Sequence, residues 1–245
     1  MSYRTVMSVD LQGYGSASQN VQRVLQENLV ECLREAAVNA GLDSGLWADQ
    51  GSGDGKLMVL PFGVSVEVLV GRFVRELNAE LRGRNRVSSR EARTRMRLAI
   101  HHGPAAEASN GYSGSAPVVV TRLCGAEPLR KALEEAGTDL GVIVSAFVFR
   151  GSIEAGMTSL DAETLRRVRL PDLGNDADAW IWLPGGPDPH TLDSAEEPVD
   201  PPSPSGPPEE PAETPPWDGF RGTTIYAPRG TVIGRDQNNH YWGRP

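Results

Sequence analysis

The sequence predicts an α+β fold built on a split βαβ (ferredoxin-like) sheet, and three observations lead to this prediction. Apolar residues alternate in several short segments, as half-buried strands require, and recur every three or four residues in longer segments, as amphipathic helices require. Glycine-rich turn signals separate these segments. Pro61, Glu67 and Arg72 interrupt the most apolar stretch, which therefore falls short of the roughly 18 residues that a membrane-spanning helix needs.

The first half of the chain supplies the elements of this sheet in the order strand, helix, strand, strand, helix, strand. The predicted strands are 5–11, 46–50, 56–60 and 96–101, and the predicted helices are 17–40 and 66–81. An Asp-Gly pair at Asp54 favours a tight hairpin between the second and third strands. In this topology the third strand lies between the first and the second and runs antiparallel to both.

The second half continues the mixed pattern. We expect helices over 118–136 with a break near Pro128, a strand over 142–149, a short helix over 162–168, and a closing strand pair at 168–170 and 179–183. The arginine-rich segment 84–97 is expected to be a solvated loop, with contact to an acidic partner or to the chain's own acidic linker as the alternative. The predicted domain occupies 1–184.

The segment 185–219 differs from the domain in composition. Between Gly185 and Phe220 there are nine acidic residues and no lysine or arginine, so the rest of the chain is close to neutral although the net charge is −8. Twelve of the nineteen prolines lie between Pro184 and Phe220. This composition predicts a disordered, solvated linker, followed by a short Gly- and Asn-rich tail at 220–245 that could bind a protein partner.

The composition also argues against several classes of protein. A near-neutral domain beside an acidic linker does not favour a surface for nucleic acid. The two cysteines, Cys32 and Cys124, form no CxxC motif, which argues against a disulfide scaffold or a structural zinc site and favours two packed thiols. The N-terminus lacks the apolar core of a signal peptide, so we expect a cytoplasmic protein without membrane contact.

Two carboxylates are expected to meet at one edge of the predicted sheet. Asp10 ends the first strand and Asp54 precedes the third, and the antiparallel pairing of these strands places the two ends side by side. Both carboxylates could then reach one divalent cation, while the loop after Asp10 leads into a helix N-terminus that favours phosphate. The alternative is that Asp10 only caps a strand and Asp54 only forms a turn.

Four motifs resemble, in the same order, those of class III nucleotidyl cyclases, and in particular the small stand-alone actinobacterial members of that family. Residues 10–14 resemble the motif D-x-x-G-[FY], 53–55 the metal-binding hairpin, 98–103 the strand G-I-H-x-G, and 114–123 the motif G-x-x-V-N-x-A-x-R-L. Together the four motifs place the resemblance over roughly 5–183.

The resemblance implies a homodimer whose chains pair head to tail and build each active site at their interface. Asp10, Asp54 and the backbone carbonyl of Leu11 would hold two Mg²⁺ or Mn²⁺ ions on a nucleoside triphosphate. The ribose 3′-hydroxyl would attack the α-phosphorus, so that a cyclic nucleotide forms and pyrophosphate leaves. Arg122 of the partner subunit would balance the negative charge that develops.

The chain departs from the family motifs where the substrate is recognised. Val118 replaces the asparagine that orients the ribose, Gln50 and Gly111 replace the two residues that read the base, and Arg169 is the nearest substitute for a phosphate-binding lysine. The predicted substrate-binding residues are Gly13, Tyr14, Gln50 and Arg169. Two functions remain: a weak or non-standard cyclase, or a catalytically inactive homologue that dimerises and serves as a nucleotide sensor or scaffold in signalling.

Overall fold

The computed structural model describes residues 2–51, 53–109 and 111–191, together with the short strands Ile225–Ala227 and Gly230–Val232. The chain divides into two compact units, 1–199 and 200–245. In the second unit the two short strands pair antiparallel. Most of the predicted linker 185–219 and of the predicted tail 220–245 lies outside the described residues.

The first unit contains an eight-stranded sheet and four α-helices of ten residues or more. The strands are β1 (Ser2–Leu11), β2 (Ala48–Gly51), β3 (Gly55–Val59), β4 (Met96–Ala108), β5 (Gly111–Ser113), β6 (Leu140–Ser145), β7 (Arg166–Arg169) and β8 (Asp178–Trp182). The helices are α1 (Gln19–Asn39), α2 (Val74–Asn85), α3 (Ser115–Cys124) and α4 (Glu127–Ala136). The remaining helical segments are Tyr14–Ser16, Ser44–Leu46, Val66–Val68, Leu69–Phe73, Ala146–Val148, Phe149–Glu154, Ala162–Thr164, Pro171–Asp176 and Pro189–Thr191.

The strand order confirms the predicted split βαβ core. The sheet runs β2-β3-β1-β4-β6-β8-β7, and β5 pairs with β4 outside this row. As the topology requires, β3 lies between β1 and β2 and is antiparallel to both. β1 also pairs antiparallel with β4, while β4 and β6 are parallel.

Apolar residues cover both faces of the sheet, because successive side chains of a strand point to opposite sides. Met7 and Val9 of β1 pack with Leu29 of α1 and other residues of one cluster. Val6, on the opposite face of β1, packs in a second cluster with residues of α3 and α4 such as Val120. Asp10 shares its face with Val6, so its side chain projects towards the side that α3 covers.

Two predicted elements are confirmed at their start and wrong in their C-terminal part. The predicted strand 142–149 ends at Ser145, and the chain becomes helical at Ala146, because a short apolar run fits a buried strand and a buried helix equally well. In the predicted helix 162–168, only Ala162–Thr164 is helical. The residues from Arg166 onward form β7, where Val168 pairs with Ala179 of β8.

The break between α3 and α4 lies near Pro128, as the sequence predicts. It falls at Gly125 and Ala126, and Pro128 itself is the second residue of α4. Proline is tolerated there because the first backbone N–H groups of a helix have no partner within that helix.

The arginine-rich segment 84–97 is more than the solvated loop that the sequence predicts. Arg93 pairs with Asp139 at 2.7 Å, and the Nε of Arg95 donates to the carbonyl of Thr138 at 2.9 Å. Arg95 also donates to the carbonyl of Leu133 near the end of α4, where unpaired carbonyls favour a cation. Burial lowers the pKa of Arg95. These contacts tie the start of β4 to the end of α4.

Within the described part of the chain, no helix is both long enough and apolar enough to cross a membrane.

Candidate functional site

The register of β1 determines the neighbours of Asp10. Asp10 pairs with Gly55 of β3 on one side and with Arg97 of β4 on the other. The backbone N–H of Leu11 donates to the carbonyl of Asp54 at 2.8 Å. The end of β1 and the start of β3 therefore meet, which brings the backbones of Asp10, Leu11 and Asp54 together as the topology predicts.

Side chains from α1 support the hairpin that carries Asp54. The Nε2 of Gln26 donates both to the hydroxyl of Tyr14 at 2.9 Å and to the carbonyl of Gly53 at 2.8 Å. Gly13 adopts a φ of 78°, which glycine reaches without strain, and opens the turn that carries Tyr14. Gly13 and Tyr14, which the sequence predicts as substrate-binding residues, thus lie in a turn that contacts the hairpin through Gln26.

The carboxylate of Asp10 forms an ion pair with the guanidinium of Arg97, through Oδ2 and Nη2. Both side chains are largely buried, with exposed fractions of 26% for Asp10 and 14% for Arg97. The Nε of Arg97 is also buried and has no hydrogen-bond partner among the described residues. The sequence interpretation missed this pair, because it counted Arg97 with the solvated arginine-rich segment although the predicted strand 96–101 also contains it.

Asp10 and Arg97 line a cleft of about 370 Å³ on the face of the sheet that α3 covers. Gln50, Lys56 and Cys124 contribute to its walls. Burial, followed by the charge of Asp10, raises the pKa of the Cys124 thiol to about 12, so the thiol is neutral at physiological pH. The cleft therefore presents one carboxylate beside two basic side chains.

Gln50 and Gly111, the two positions that the resemblance associates with base reading, lie side by side. The Oε1 of Gln50 is 2.6 Å from the point where a Cβ on residue 111 would lie. Gly111 also has a φ of 95°, which disfavours other residues. Glycine at position 111 thus leaves room for the amide of Gln50, which lines the cleft.

A second cleft, of about 750 Å³, shares the lining residue Gly125 with the first. Three arginines line it, namely Arg122 of α3, Arg130 of α4 and Arg169 of β7. The Nη1 of Arg122 donates to the carbonyl of Asp172 at 3.0 Å. Glu127 and Asp172 also line this cleft, and the three guanidinium groups outnumber these two acidic residues, which favours an anion. The sequence interpretation selected Arg122 and Arg169 but missed Arg130. The sequence feature that could have indicated Arg130 is its position directly after the apolar Leu129 at the start of a helix.

The residues at the end of β1 fit a magnesium or manganese ion by chemistry. Two carboxylates and the main-chain carbonyl of Leu11 are hard oxygen donors, and the Leu11–Asp54 hydrogen bond joins the backbones that carry them. Among the residues that the structure describes, no group of three or more His, Cys, Asp or Glu side chains could hold a metal ion. An ion at this site would therefore be held by the two carboxylates, by the carbonyl oxygen of Leu11 and by phosphate oxygens of a bound ligand.

The first unit has the fold of class III adenylate and guanylate cyclase domains. An adenylate/guanylate cyclase/hydrolase from Silicibacter pomeroyi matches with a TM-score of 0.55 and 19% identity, covering 75% of this chain and 97% of that one. The guanylate cyclase domain of RhGC from Catenaria anguillulae, solved in complex with GTP, matches with a TM-score of 0.50 and 13% identity, covering 74% and 95%.

A non-canonical dimeric guanylyl cyclase domain of the RhoGC fusion protein from the aquatic fungus Blastocladiella emersonii matches with a TM-score of 0.50 and 10% identity, covering 75% of this chain and 97% of that one. No protein-family model matches the sequence, and no curated protein matches it. At these identities the shared property is the fold, and the predicted resemblance is confirmed at that level.

The contacts of Gln26 generate a test of how the site is held together. Gln26→Ala removes both hydrogen bonds that fasten Gly53 and Tyr14 to α1, a local loss of about 1–2 kcal/mol. We expect backbone amides of the hairpin to exchange with deuterium roughly tenfold faster, measured by mass spectrometry on peptides that contain Gly55. Gln22→Ala is the matched control, because the side chain of Gln22 donates to the carbonyl of Tyr14 and forms no hydrogen bond with the described residues of the hairpin. Equal exchange in the two variants would contradict this role.

Proposed function

We propose that the protein binds a complex of a divalent metal ion with a nucleoside triphosphate and converts it, slowly, into a cyclic nucleotide and pyrophosphate. The observation that carries the proposal is the meeting of Asp10, Leu11 and Asp54 at the end of β1. It is supported by the fold, whose solved examples include a guanylate cyclase domain in complex with GTP. The proposed assembly is a head-to-tail homodimer, in which the site is built from residues of both chains.

In this proposal Asp10, Asp54 and the carbonyl of Leu11 hold the metal ions. When bound, divalent ions neutralise triphosphate charge and lower the pKa of the ribose 3′-hydroxyl. The 3′-oxygen loses its proton to solvent and bonds to the α-phosphorus, while the bond from that phosphorus to the bridging oxygen breaks and pyrophosphate leaves. The chain contributes position and charge, and forms no covalent bond to the substrate.

The second cleft, which Arg122, Arg130 and Arg169 line and which we call the arginine cleft, supplies the positive charge that the reaction needs. In a head-to-tail homodimer, Arg122 of the partner subunit balances the charge that develops on the transferring phosphate. Arg130 and Arg169 line the same cleft as Arg122 in each chain, which supports a role for them in binding the outer phosphates. Removing a group of this kind commonly costs on the order of a hundredfold in rate.

We propose slow turnover because Val118, at the position of the ribose-orienting asparagine of the family motif, has no polar group in its side chain. Val118 lies on α3 one helical turn before Arg122, and 49% of its surface is exposed. An apolar side chain there cannot hydrogen-bond a hydroxyl group, so the 3′-hydroxyl is less well aligned for attack. The second candidate function, an inactive homologue that senses nucleotide or acts as a scaffold, is favoured by this residue and by the ion pair that occupies Asp10.

The two functions are separated by an assay of purified protein with Mn²⁺ and each common nucleoside triphosphate. We expect cyclic nucleotide and pyrophosphate from the wild type, and a loss of at least roughly a hundredfold in Asp10→Ala. Asp161→Ala is the matched control, because Asp161 caps a turn through Glu163 outside both clefts.

Two other outcomes decide against catalysis. If the wild type forms no product but binds a non-hydrolysable triphosphate analogue, and Asp10→Ala does not bind it, the protein is a sensor. If the wild type neither forms product nor binds the analogue, the nucleotide proposal is wrong.

The role assigned to position 118 yields a gain-of-function prediction. Val118→Asn restores a hydrogen-bonding side chain at an exposed position of α3, so we expect kcat to rise roughly tenfold with little change in KM. The measurement is steady-state kinetics with Mn²⁺ and the preferred triphosphate. Val38→Asn is the matched control, because Val38 is similarly exposed on α1 and lines neither the cleft that contains Asp10 nor the arginine cleft. An unchanged or lower kcat in Val118→Asn would contradict the explanation of slow turnover.

A further inference from the structure

We infer that Arg97 is an internal counter-ion that competes with the divalent metal ion for Asp10, and that it thereby sets the metal affinity of the site. The inference rests on the proposed function, since it concerns the same carboxylate. It follows from the position of Arg97, from the burial of its side chain, and from its incomplete set of hydrogen bonds.

The position of Arg97 is fixed by the centre of the sheet. β4 pairs on both sides at this point, since Arg97 lies opposite Asp10 of β1 and opposite Gly141 of β6. The Sγ of Cys124 also contacts the carbonyl of Arg97 at 3.5 Å. The backbone of residue 97 therefore has little freedom to move, and a change in the ion pair must come from rotation of the side chain.

The ion pair neutralises Asp10 as long as no other cation is bound there. A half-buried carboxylate without a counter-ion is unfavourable, and the Nη2 of Arg97 supplies the compensating charge. The Nε of Arg97 gains no hydrogen bond in this position among the described residues. A buried donor without a partner makes the arrangement less favourable than a fully satisfied pair, which lowers the cost of moving the guanidinium away.

A divalent ion and the guanidinium repel each other when both approach Asp10. At a separation of about 5 Å, repulsion between one and two positive charges weakens ion binding by roughly tenfold even at the dielectric constant of water, and by more in a protein cleft. The ion therefore binds most favourably after Arg97 has turned away. The side chain of Arg97 can rotate into the cleft beside Asp10, because Arg97 lines this cleft and the cleft is open.

The test measures binding of Mn²⁺ alone to the full chain, by the electron paramagnetic resonance signal of the free ion and without nucleotide. We expect Arg97→Gln to bind Mn²⁺ at least roughly tenfold more tightly than the wild type, because repulsion is removed. Arg97→Lys keeps the charge and is expected to stay close to the wild type. Arg167→Gln is the matched control, since Arg167 forms a comparable cross-strand pair with Asp178.

The outcomes distinguish this inference from the proposed function. Equal or weaker Mn²⁺ binding in Arg97→Gln overturns the inference and leaves the proposed function standing. If neither the wild type nor Arg97→Gln binds Mn²⁺ without nucleotide, the inference is overturned, whereas the proposed function is decided by the product assay with each nucleoside triphosphate. Circular dichroism establishes whether each variant folds, and Arg97→Met, which keeps the apolar stem of the side chain, replaces the glutamine variant if that variant does not fold.

Discussion

The register of β1 between β3 and β4 is the constraint on which the candidate site depends. This register places Asp10 between Gly55 and Arg97, and places Leu11 in hydrogen-bonding contact with Asp54. A slip of one residue would turn Asp10 to the opposite face, towards α1 and α2, and would break these contacts. All ten residues of β1 pair with β4, and alternate residues of β1 are apolar and buried, so the register is strongly specified.

The same face of the sheet carries two neighbouring clefts. One combines the Asp10 carboxylate with two basic side chains, while the other combines Arg122, Arg130 and Arg169 with two acidic residues, and the two clefts share Gly125. In the proposed head-to-tail dimer, the arginine cleft of one chain complements the carboxylates of the other. This complementarity gives a physical reason for a site that needs two chains, because a triphosphate with its metal ions requires both kinds of charge.

Much of this architecture could be predicted from the sequence, because it depends on strand order. Hydrophobic alternation located β1, β3 and β4, and the split βαβ topology then brought the end of β1 beside Asp54. The helix at Ala146 was missed, since a short apolar run does not distinguish a strand from a helix. The pairing of Arg97 with Asp10 was missed although the predicted strand 96–101 contains Arg97, because the register between β1 and β4 decides which residue lies opposite Asp10.

Other features could not be predicted from local pattern at all. The hydrogen bonds of Gln26 to Tyr14 and Gly53 join three segments that are distant in the sequence, and no periodicity indicates them. The contact of Gln50 with Gly111 likewise depends on how β2 and β5 approach each other. Side-chain contacts of this kind follow from tertiary packing, which a single sequence specifies only through the complete fold.

Whether Asp10 and Asp54 hold the same cation, as proposed, can be decided by a double-mutant cycle on Mn²⁺ binding. Wild type, Asp10→Asn, Asp54→Asn and the double variant would be titrated with Mn²⁺ in the presence of a non-hydrolysable triphosphate. We expect each single variant to lose most of the affinity and the double variant to lose little more, a strong departure from additivity. Additive losses, or unchanged affinity in either single variant, would contradict a shared ion.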